Sequence, residues 1–328
     1  MSQGKIFITG GAGYIGSHTV KVLLEQGYKD LIIFDNLEQG HRDAVLGGKF
    51  VEGDLRNKEA LEKVFSENKI DAVIHFAAYT CVPESVLEPA KYFENNLIGG
   101  FNLLESMRRH SVKKIVFSSS SSVYGEAQTE LINEQHPKNP TNPYGYTKLA
   151  FEEMLMLYYR VYGFFSISFR YFCAAGVDPS SQLGERHDPE THLIPRTILA
   201  ALGKVPPLKI FGTDYPTKDG TGVRDFIHVN DLASGHIVGL KLLLSSKESI
   251  CRAYNLGIGK GYSVREVINA VSQIARKIVP TEEAERRPGD PAILIADSSL
   301  VKKELGWQPK FIELEKIVET AFNFFKKI

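Results

Sequence analysis

The chain is poor in the features that mark several large functional classes. Its three cysteines, Cys81, Cys173 and Cys251, are an odd number without CxxC spacing. That excludes a disulfide framework and a thiolate metal site, and favours a reducing compartment; no metal is expected. There is no charge surplus either. Lysine plus arginine equal aspartate plus glutamate at 39 each, so no overall field draws nucleic acid or an acidic membrane surface. Any anionic ligand must be held by local groups. No apolar run is long enough to cross a bilayer, and MSQGKIFITG has a lysine ahead of a glycine turn rather than a leader. A soluble cytoplasmic protein is expected. Low-complexity tracts and fixed-period repeats are absent too.

What is present is enough apolar material, 43% of 328 residues, for a large core. The first half alternates short β-branched or aromatic runs (KIFITG, LIIFDN, AVIHFAA, KIVFSSS, FSISFRYF) with amphipathic stretches such as SHTVKVLLEQ and EALEKVFSEN. Parallel strands need crossovers and helices supply them, so this alternation predicts an α/β fold with a Rossmann-type doubly wound parallel sheet over residues 1–172. After Phe172 come a polar loop, shorter strands (PPLKIFG, DFIHV, AYNLG) and more helix. A smaller α/β region over 173–328 is expected, with some segments returning to the first. Function should lie at the carboxyl ends of the strands.

GGAGYIG follows the first strand and opens a helix, with Gly10, Gly13 and Gly16 at three-residue spacing. Small residues allow a tight turn and close approach of a pyrophosphate to the free N–H groups of a helix start; a tight helix–strand contact alone is the competing explanation. Asp35, at the end of the second strand, can accept hydrogen bonds from an adenosine ribose, which favours NAD over NADP, although Arg42 lies near in sequence. Asp54 and Leu55 of EGDL are placed to flank an adenine edge. Together these predict a dinucleotide site.

NPYGYTK sets Tyr144 and Lys148 four residues apart on a helix, hence on one face. An unperturbed phenol, with a pKa of about 10, is a poor base at neutral pH. A neighbouring ammonium, joined by the charge of an oxidised nicotinamide, favours phenolate. Lys148 is therefore expected to tune Tyr144 and Tyr144 to take a proton from a substrate alcohol. The strand ending in SSSSSVYG adds a hydroxyl, Ser120 by position with Ser122 its rival. A surface Tyr and Lys on an ordinary helix is the alternative.

GGAGYIGSH, FDN, EGDL, HFAA, ENN, FSSSSSVYG, NPYGYTK, RYF, PETHLIP, KIFGTDYPTKDGTGVRDFIHVNDLASGH and RRPGDP, in this order, resemble the UDP-glucose 4-epimerase branch of the extended short-chain dehydrogenase/reductase family. The glycine turn and YxxxK mark the superfamily; GTGVRDFIHV with RRPGD carries the branch. The resemblance implies retained NAD and reversible C4 epimerisation of UDP-glucose and UDP-galactose through a 4-keto sugar, in galactose metabolism, with Tyr144 as base, Ser120 on the reacting oxygen and Lys148 on the nicotinamide ribose. It adds Tyr14, Ile15, Asn36, Phe76, Ala77, Ala78, Thr80, Asn95 and Phe172 to the cofactor site. It places Tyr171 by the hexose, His192 and Leu193 around the nucleotide, Phe211 by the uracil, Arg224 and Arg287 at the diphosphate and Asp290 at the uridine ribose. A homodimer through the helices of NNLIGGFNLLESM and LAFEEMLMLYY is implied as well, though their apolar stripes could serve their own sheet.

Three positions depart from the family pattern. Cys173 stands where Asn usually follows RYF, leaving a weak S–H donor near the diphosphate. Thr80 replaces a frequent lysine. Leu294 sits where side-chain size controls room for an N-acetyl group, and its intermediate bulk predicts a preference for the plain hexoses. Rival activities are a nucleotide-sugar dehydratase or decarboxylase, a coenzyme-exchanging alcohol dehydrogenase, and a silent dinucleotide-sensing protein. A dehydratase would carry an Asp-Glu pair after the active-site hydroxyl, where this chain has Ser121 and Ser122.

Overall fold

A computed structural model describes residues 4–287 and 290–328; Pro288 and Gly289 of RRPGDP lie outside the described residues. The chain divides into two compact units, one of residues up to Gly125 with Pro137–Arg170 and Ala233–Tyr254, the other of Glu126–His136, Tyr171–Leu232 and Asn255–Ile328.

The first unit is built on seven strands: β1 (Ile6–Thr9), β2 (Leu31–Asp35), β3 (Lys49–Glu52), β4 (Ala72–His75), β5 (Lys114–Ser120), β6 (Phe165–Tyr171) and β7 (Cys251–Leu256). Their order across the sheet is β7-β6-β5-β4-β1-β2-β3, and β3 through β2, β1 and β4 to β5 pair in parallel. The order reverses direction between β1 and β4, the switch point at which open α/β sheets bind ligands. β1, β2 and β4 are buried along their whole length, as strands covered on both faces must be. Phe7, Phe34, Phe65, Val73, Leu103 and Phe151 share one cluster on one face. The first four residues of AYNLG lie within β7 at the edge of this sheet, a segment of the later chain joining the first sheet; sequence order cannot show which sheet an isolated strand joins.

Four helices matter for the site: α1 (Tyr14–Glu25), α2 (Lys58–Glu67), α3 (Gly99–Arg109) and α4 (Pro143–Tyr162). α4 begins where its sequence says it must. The Asn142 side chain accepts the Gly145 N–H at 2.9 Å, Pro143 occupies the first turn, and Gly163 closes the far end in the left-handed region at φ 65°. α3 is preceded by a π-helical segment, Phe93–Ile98. KYFENNLIGGFNLLESMRRH, whose sequence pattern reads as helix, is helical without interruption through Arg109, with the wider π winding in its first half; such bulges are common at functional sites.

Among the described residues the second unit has no long strand. Tyr262–Ser263, Val223–Arg224, Ile293–Ala296 and Leu131–Ile132 make a four-stranded sheet in that order. Phe226–His228 pairs with Cys173–Ala175, and Thr281–Ala284 with Leu208–Phe211, both in parallel. Helices Leu193–Ala201, Val264–Ala275 and Leu314–Phe325 pack a core of residues such as Ile198, Val267, Val271, Ile317 and Val318. A capping box between Ser263 and Glu266 starts the middle helix.

Candidate active site

In the first unit the glycine turn is shaped by close approach. A Cβ on Gly10, which has φ +71°, would lie 2.4 Å from the Ala77 nitrogen, and one on Gly16 would lie 2.1 Å from the Gly10 carbonyl oxygen. Gly10 lets the turn after β1 sit against the turn after β4, and Gly16 lets the first turn of α1 close onto that glycine turn. Gly13 differs. A Cβ there would meet only the Gly10 oxygen at 3.4 Å, so packing within the chain does not demand glycine; it leaves space beside a helix start whose cap uses no side chain. A cradle with open room and free N–H groups fits a pyrophosphate. Tyr14 and Ile15 follow in the first turn of α1, both partly exposed.

Asp35 is buried at the end of β2. Its carboxylate accepts the Ala12 N–H at 3.0 Å and the Leu37 N–H at 2.9 Å, and burial raises its pKa against those bonds. It thus ties the glycine turn to the β2 end. The Arg42 guanidinium is 4.4 Å over the Phe50 ring. Asn36 donates to Asp54 at 3.0 Å, while the Arg56 guanidinium on Asp54 holds that carboxyl down at about 2. Leu55 is buried beside it. Phe76 lies tilted against His236 with ring centres 4.7 Å apart, Ala77 and Ala78 are partly exposed, and Thr80 is exposed. Asn95 donates to Asn96 at 3.0 Å. Asn96, which sequence reading passed over, is the clamp: it accepts the Tyr79 N–H at 2.8 Å and donates to the Tyr79 carbonyl and to Thr147, so it fixes the β4 turn to α4.

Ser120 ends β5, and Tyr144 and Lys148 lie in the first two turns of α4, all three buried. Gly145 makes the contact possible, since a Cβ there would be 2.6 Å from the Ser122 carbonyl. The Ser120 hydroxyl is near enough to the Tyr144 phenol to favour its ionised form, and it donates to the Ser122 hydroxyl at 3.1 Å while accepting the Ser122 N–H at 3.1 Å. Of the two serines, Ser120 is the one that acts on the phenol. The Lys148 ammonium donates to the Ser118 carbonyl at 2.8 Å and lies 5.7 Å from the Tyr144 ring centre.

The electrostatics run against the simple expectation that Lys148 lowers the Tyr144 pKa. Burial pushes Tyr144 up to about 12, opposed by Ser120, and pulls Lys148 down to about 7, opposed by Glu152. Within the chain's own groups, desolvation is the largest influence on both, and neither is among the causes acting on the other. Beneath the pair, Glu152 takes Nε and Nη2 of Arg170 at 2.9 and 2.5 Å and the Ser119 hydroxyl at 2.5 Å, and Arg170 donates to the Tyr124 hydroxyl at 3.0 Å. The signal for this buried pair was present: an arginine inside the apolar strand FSISFRYF needs a partner.

In the second unit, Arg224 pairs with Asp290 and its Nη1 donates to the Val223 carbonyl at 2.8 Å. Arg287 lies 3.9 Å over the Phe211 ring. Leu294 is opposite Arg224 in parallel register, and Cys173 opposite Phe226. Burial raises Cys173 to about 11, with Arg224 pulling down and Asp225 and Asp290 pushing up, so the thiol stands among these charges. Arg224 and Asp225 are not a surface pair. Asp225 is fully buried and accepts the N–H groups of Ile258, Gly259 and Ala296 at 2.9–3.2 Å. Tyr171, the last residue of β6, and Phe172 are buried where the chain passes into this unit. His192 is tied to Glu185 at the start of the Leu193–Ala201 helix; no contact places it or Leu193 with Arg224 or Arg287 among the described residues.

Known proteins match over nearly the whole chain. A family model described as GDP-mannose 4,6 dehydratase covers residues 7–321. A UDP-glucose 4-epimerase of Halalkalibacterium halodurans is 49% identical over 98% of this chain and 96% of that protein. One from Bacillus subtilis is 48% identical over 93% of this chain and 92% of that protein. The crystal structure of UDP-glucose 4-epimerase from Bifidobacterium longum, in complex with NAD+ and UDP, superposes with a TM-score of 0.93 at 39% identity, covering 98% of both chains.

Proposed function

From the premise that this chain belongs to the UDP-glucose 4-epimerase family, we propose how its residues divide the work. The protein is an NAD-dependent isomerase that epimerises UDP-hexoses at C4. The first unit binds NAD through the Gly10–Gly16 turn, Asp35 and the Phe76–Thr80 turn, and the second binds the UDP-sugar through Phe211, Arg224, Arg287 and Asp290. A guanidinium fork matches phosphate oxygens, and Arg287 over Phe211 makes a stack of the kind a planar base extends. The buried Asp35 carboxylate disfavours a 2′-phosphate and so NADP.

NAD supplies a reversible hydride acceptor and, when oxidised, a positive charge. Tyr144 accepts the proton of the hexose 4-hydroxyl and returns it after the 4-keto sugar has turned over. Ser120 hydrogen-bonds the same oxygen and holds the phenol in line. Lys148, fixed by the Ser118 carbonyl, directs its remaining protons to the nicotinamide ribose; Glu152, neutralised by Arg170, sets the charge beneath it. The observation that carries this reading is the buried Ser120–Tyr144–Lys148 set across the β5 end and the start of α4. The dehydratase alternative lacks support at Ser121 and Ser122, where no carboxylate stands.

Incubation with UDP-galactose tests it: UDP-glucose should form without added NAD and without net NADH release. Steady NADH production would instead indicate an alcohol dehydrogenase. Leu294 is read as setting a preference for plain over N-acetylated hexoses, and comparable kcat/KM for the N-acetyl pair would contradict that. A homodimer is supported by exposed Leu87, Ile98, Phe101, Leu157 and Val161 on helices of the first unit. No described helix is long and apolar enough to cross a membrane, in keeping with a cytoplasmic enzyme.

A further inference from the structure

The loop before the Leu193–Ala201 helix carries Glu185, His187, Glu190 and His192, two E-x-H steps five residues apart. The structure folds these four onto one point: one nitrogen or oxygen from each lies within 4.8 Å of all the others. His187 Nδ1 is 3.3 Å from Glu185 Oε1 and 3.7 Å from Glu190 Oε2. His192 Nδ1 contacts Glu185 Oε1 and is 3.8 Å from Glu190 Oε1. The Glu185 side chain is only 2% exposed and that of Glu190 8%.

The Glu190 carboxylate is an independent sign that something is held here. Its Oε1 accepts the His192 N–H at 2.8 Å, yet its buried Oε2 has no hydrogen-bond partner among the described residues and is aimed at His187. A buried carboxylate oxygen left so is costly. A tetrahedral ion with bonds of about 2.0–2.2 Å sets its ligand atoms about 3.3–3.6 Å apart, close to the 3.3, 3.7 and 3.8 Å of three of the pairs; His192 and Glu185, in direct contact, part by a small side-chain movement to admit it. Two carboxylates and two neutral imidazoles balance a doubly charged cation.

We propose that Glu185, His187, Glu190 and His192 form a binding site for one divalent transition cation of the zinc class, which clasps the loop leading into the Leu193–Ala201 helix. The donor set chooses the class. Calcium and magnesium take oxygen ligands, and the soft-metal sites need thiolate, whereas two imidazoles with two carboxylates suit zinc and its borderline neighbours. A cleft of about 240 Å³ lined by Glu185, His187, Glu190 and Lys204 gives access from solvent. No step of the epimerisation passes through the ion; the role is structural, so the site stands or falls independently of the activity.

The test uses the full chain without an affinity tag, stripped with a chelator and titrated with Zn2+ by calorimetry and with Co2+ by visible absorption. One equivalent of Zn2+ per chain is expected, a raised Tm, and the ligand-field bands of four-coordinate Co2+. Glu185→Gln, which keeps shape, and His187→Ala should each weaken Zn2+ binding by about a hundredfold or more, since even outer-shell changes at metal sites cost about 10–100-fold. Glu190→Gln serves as a third variant, and circular dichroism checks that each is folded. Absence of stoichiometric binding by the unaltered chain, or equal affinity in folded Glu185→Gln and His187→Ala, would overturn the proposal and leave two histidine–glutamate ion pairs as the whole content of the cluster.

Discussion

The two units offer candidate binding surfaces of different physical kinds. In the first, the candidate cofactor surface is made of backbone and buried neutral or neutralised groups: glycines that close in to 2.1–2.4 Å of virtual contact, Asp35 bonded by two N–H groups, Lys148 with its pKa drawn down to about 7. In the second, the candidate substrate surface is made of charges left partly open, Arg224 on Asp290 and Arg287 over a ring. A site that performs proton transfer gains from burial, because desolvation lets small changes in nearby charge move a pKa far. One that catches a doubly charged diphosphate gains from guanidinium forks that keep their charge at every working pH.

Four measurements sharpen or break that contrast. Tyr144→Phe in the buried site should lower turnover of UDP-galactose by about 10²–10⁴-fold while UDP binding stays unchanged; intact turnover would remove the phenol from the chemistry. Arg287→Ala in the open site should do the converse. Loss of a charge-assisted bond of about 1.5–3 kcal/mol weakens UDP-glucose binding by roughly tenfold to a hundredfold, and NAD retention, followed by absorbance of the released dinucleotide, should not change.

A third test asks whether burial governs Lys148. Its pKa falls from 10.5 free to about 7 in the folded chain, burial being the larger cause and Glu152 the opposing one. Below about 7 both states carry the proton and the desolvation penalty is complete. Between about 7 and 10.5 the unfolded state binds more protons than the native one, so stability rises with pH. Relative to Lys148→Met, the unaltered protein should therefore gain in urea midpoint on going from neutral to alkaline pH. A flat difference would mean that the ammonium stays charged in the native state. The smallest effect is expected for Cys173→Asn, where an amide donor replaces a buried thiol among the Arg224 and Asp290 charges; UDP-hexose affinity should rise by about 3–10-fold, one ordinary hydrogen bond, and equal or weaker binding by calorimetry would reject that account.

Legibility in the sequence divides along the same line. β1 to β6 and their helices follow from alternating runs because each βαβ step is local, and the glycines, Asp35, Tyr144 and Lys148 occur at fixed offsets from those elements. Asn142 and Pro143 even announce the turn that presents Tyr144. Asn96, Glu152 and Arg170 escaped because their meaning lies in partners 17 to 51 positions away. The second unit was harder still. The three strands that join Ile293–Ala296 in its four-stranded sheet have two residues each and come from segments as distant as 131 and 262, too short for any period to show. Glu185, His187, Glu190 and His192 are close in sequence, but only the fold of their loop brings the four side chains to one point.

The amino-acid order by itself determined the parallel sheet, the dinucleotide turn and the tyrosine one helical turn ahead of the lysine, since hydrophobic period, capping and φ-permissive glycines act over a few residues. Only the tertiary structure decided which groups are desolvated and which charges meet: that Lys148 loses its proton more easily than free lysine, that Arg224 faces Asp290 rather than Asp225, and that two E-x-H steps converge. Burial and pairing are properties of space, and the chain reaches them only by folding.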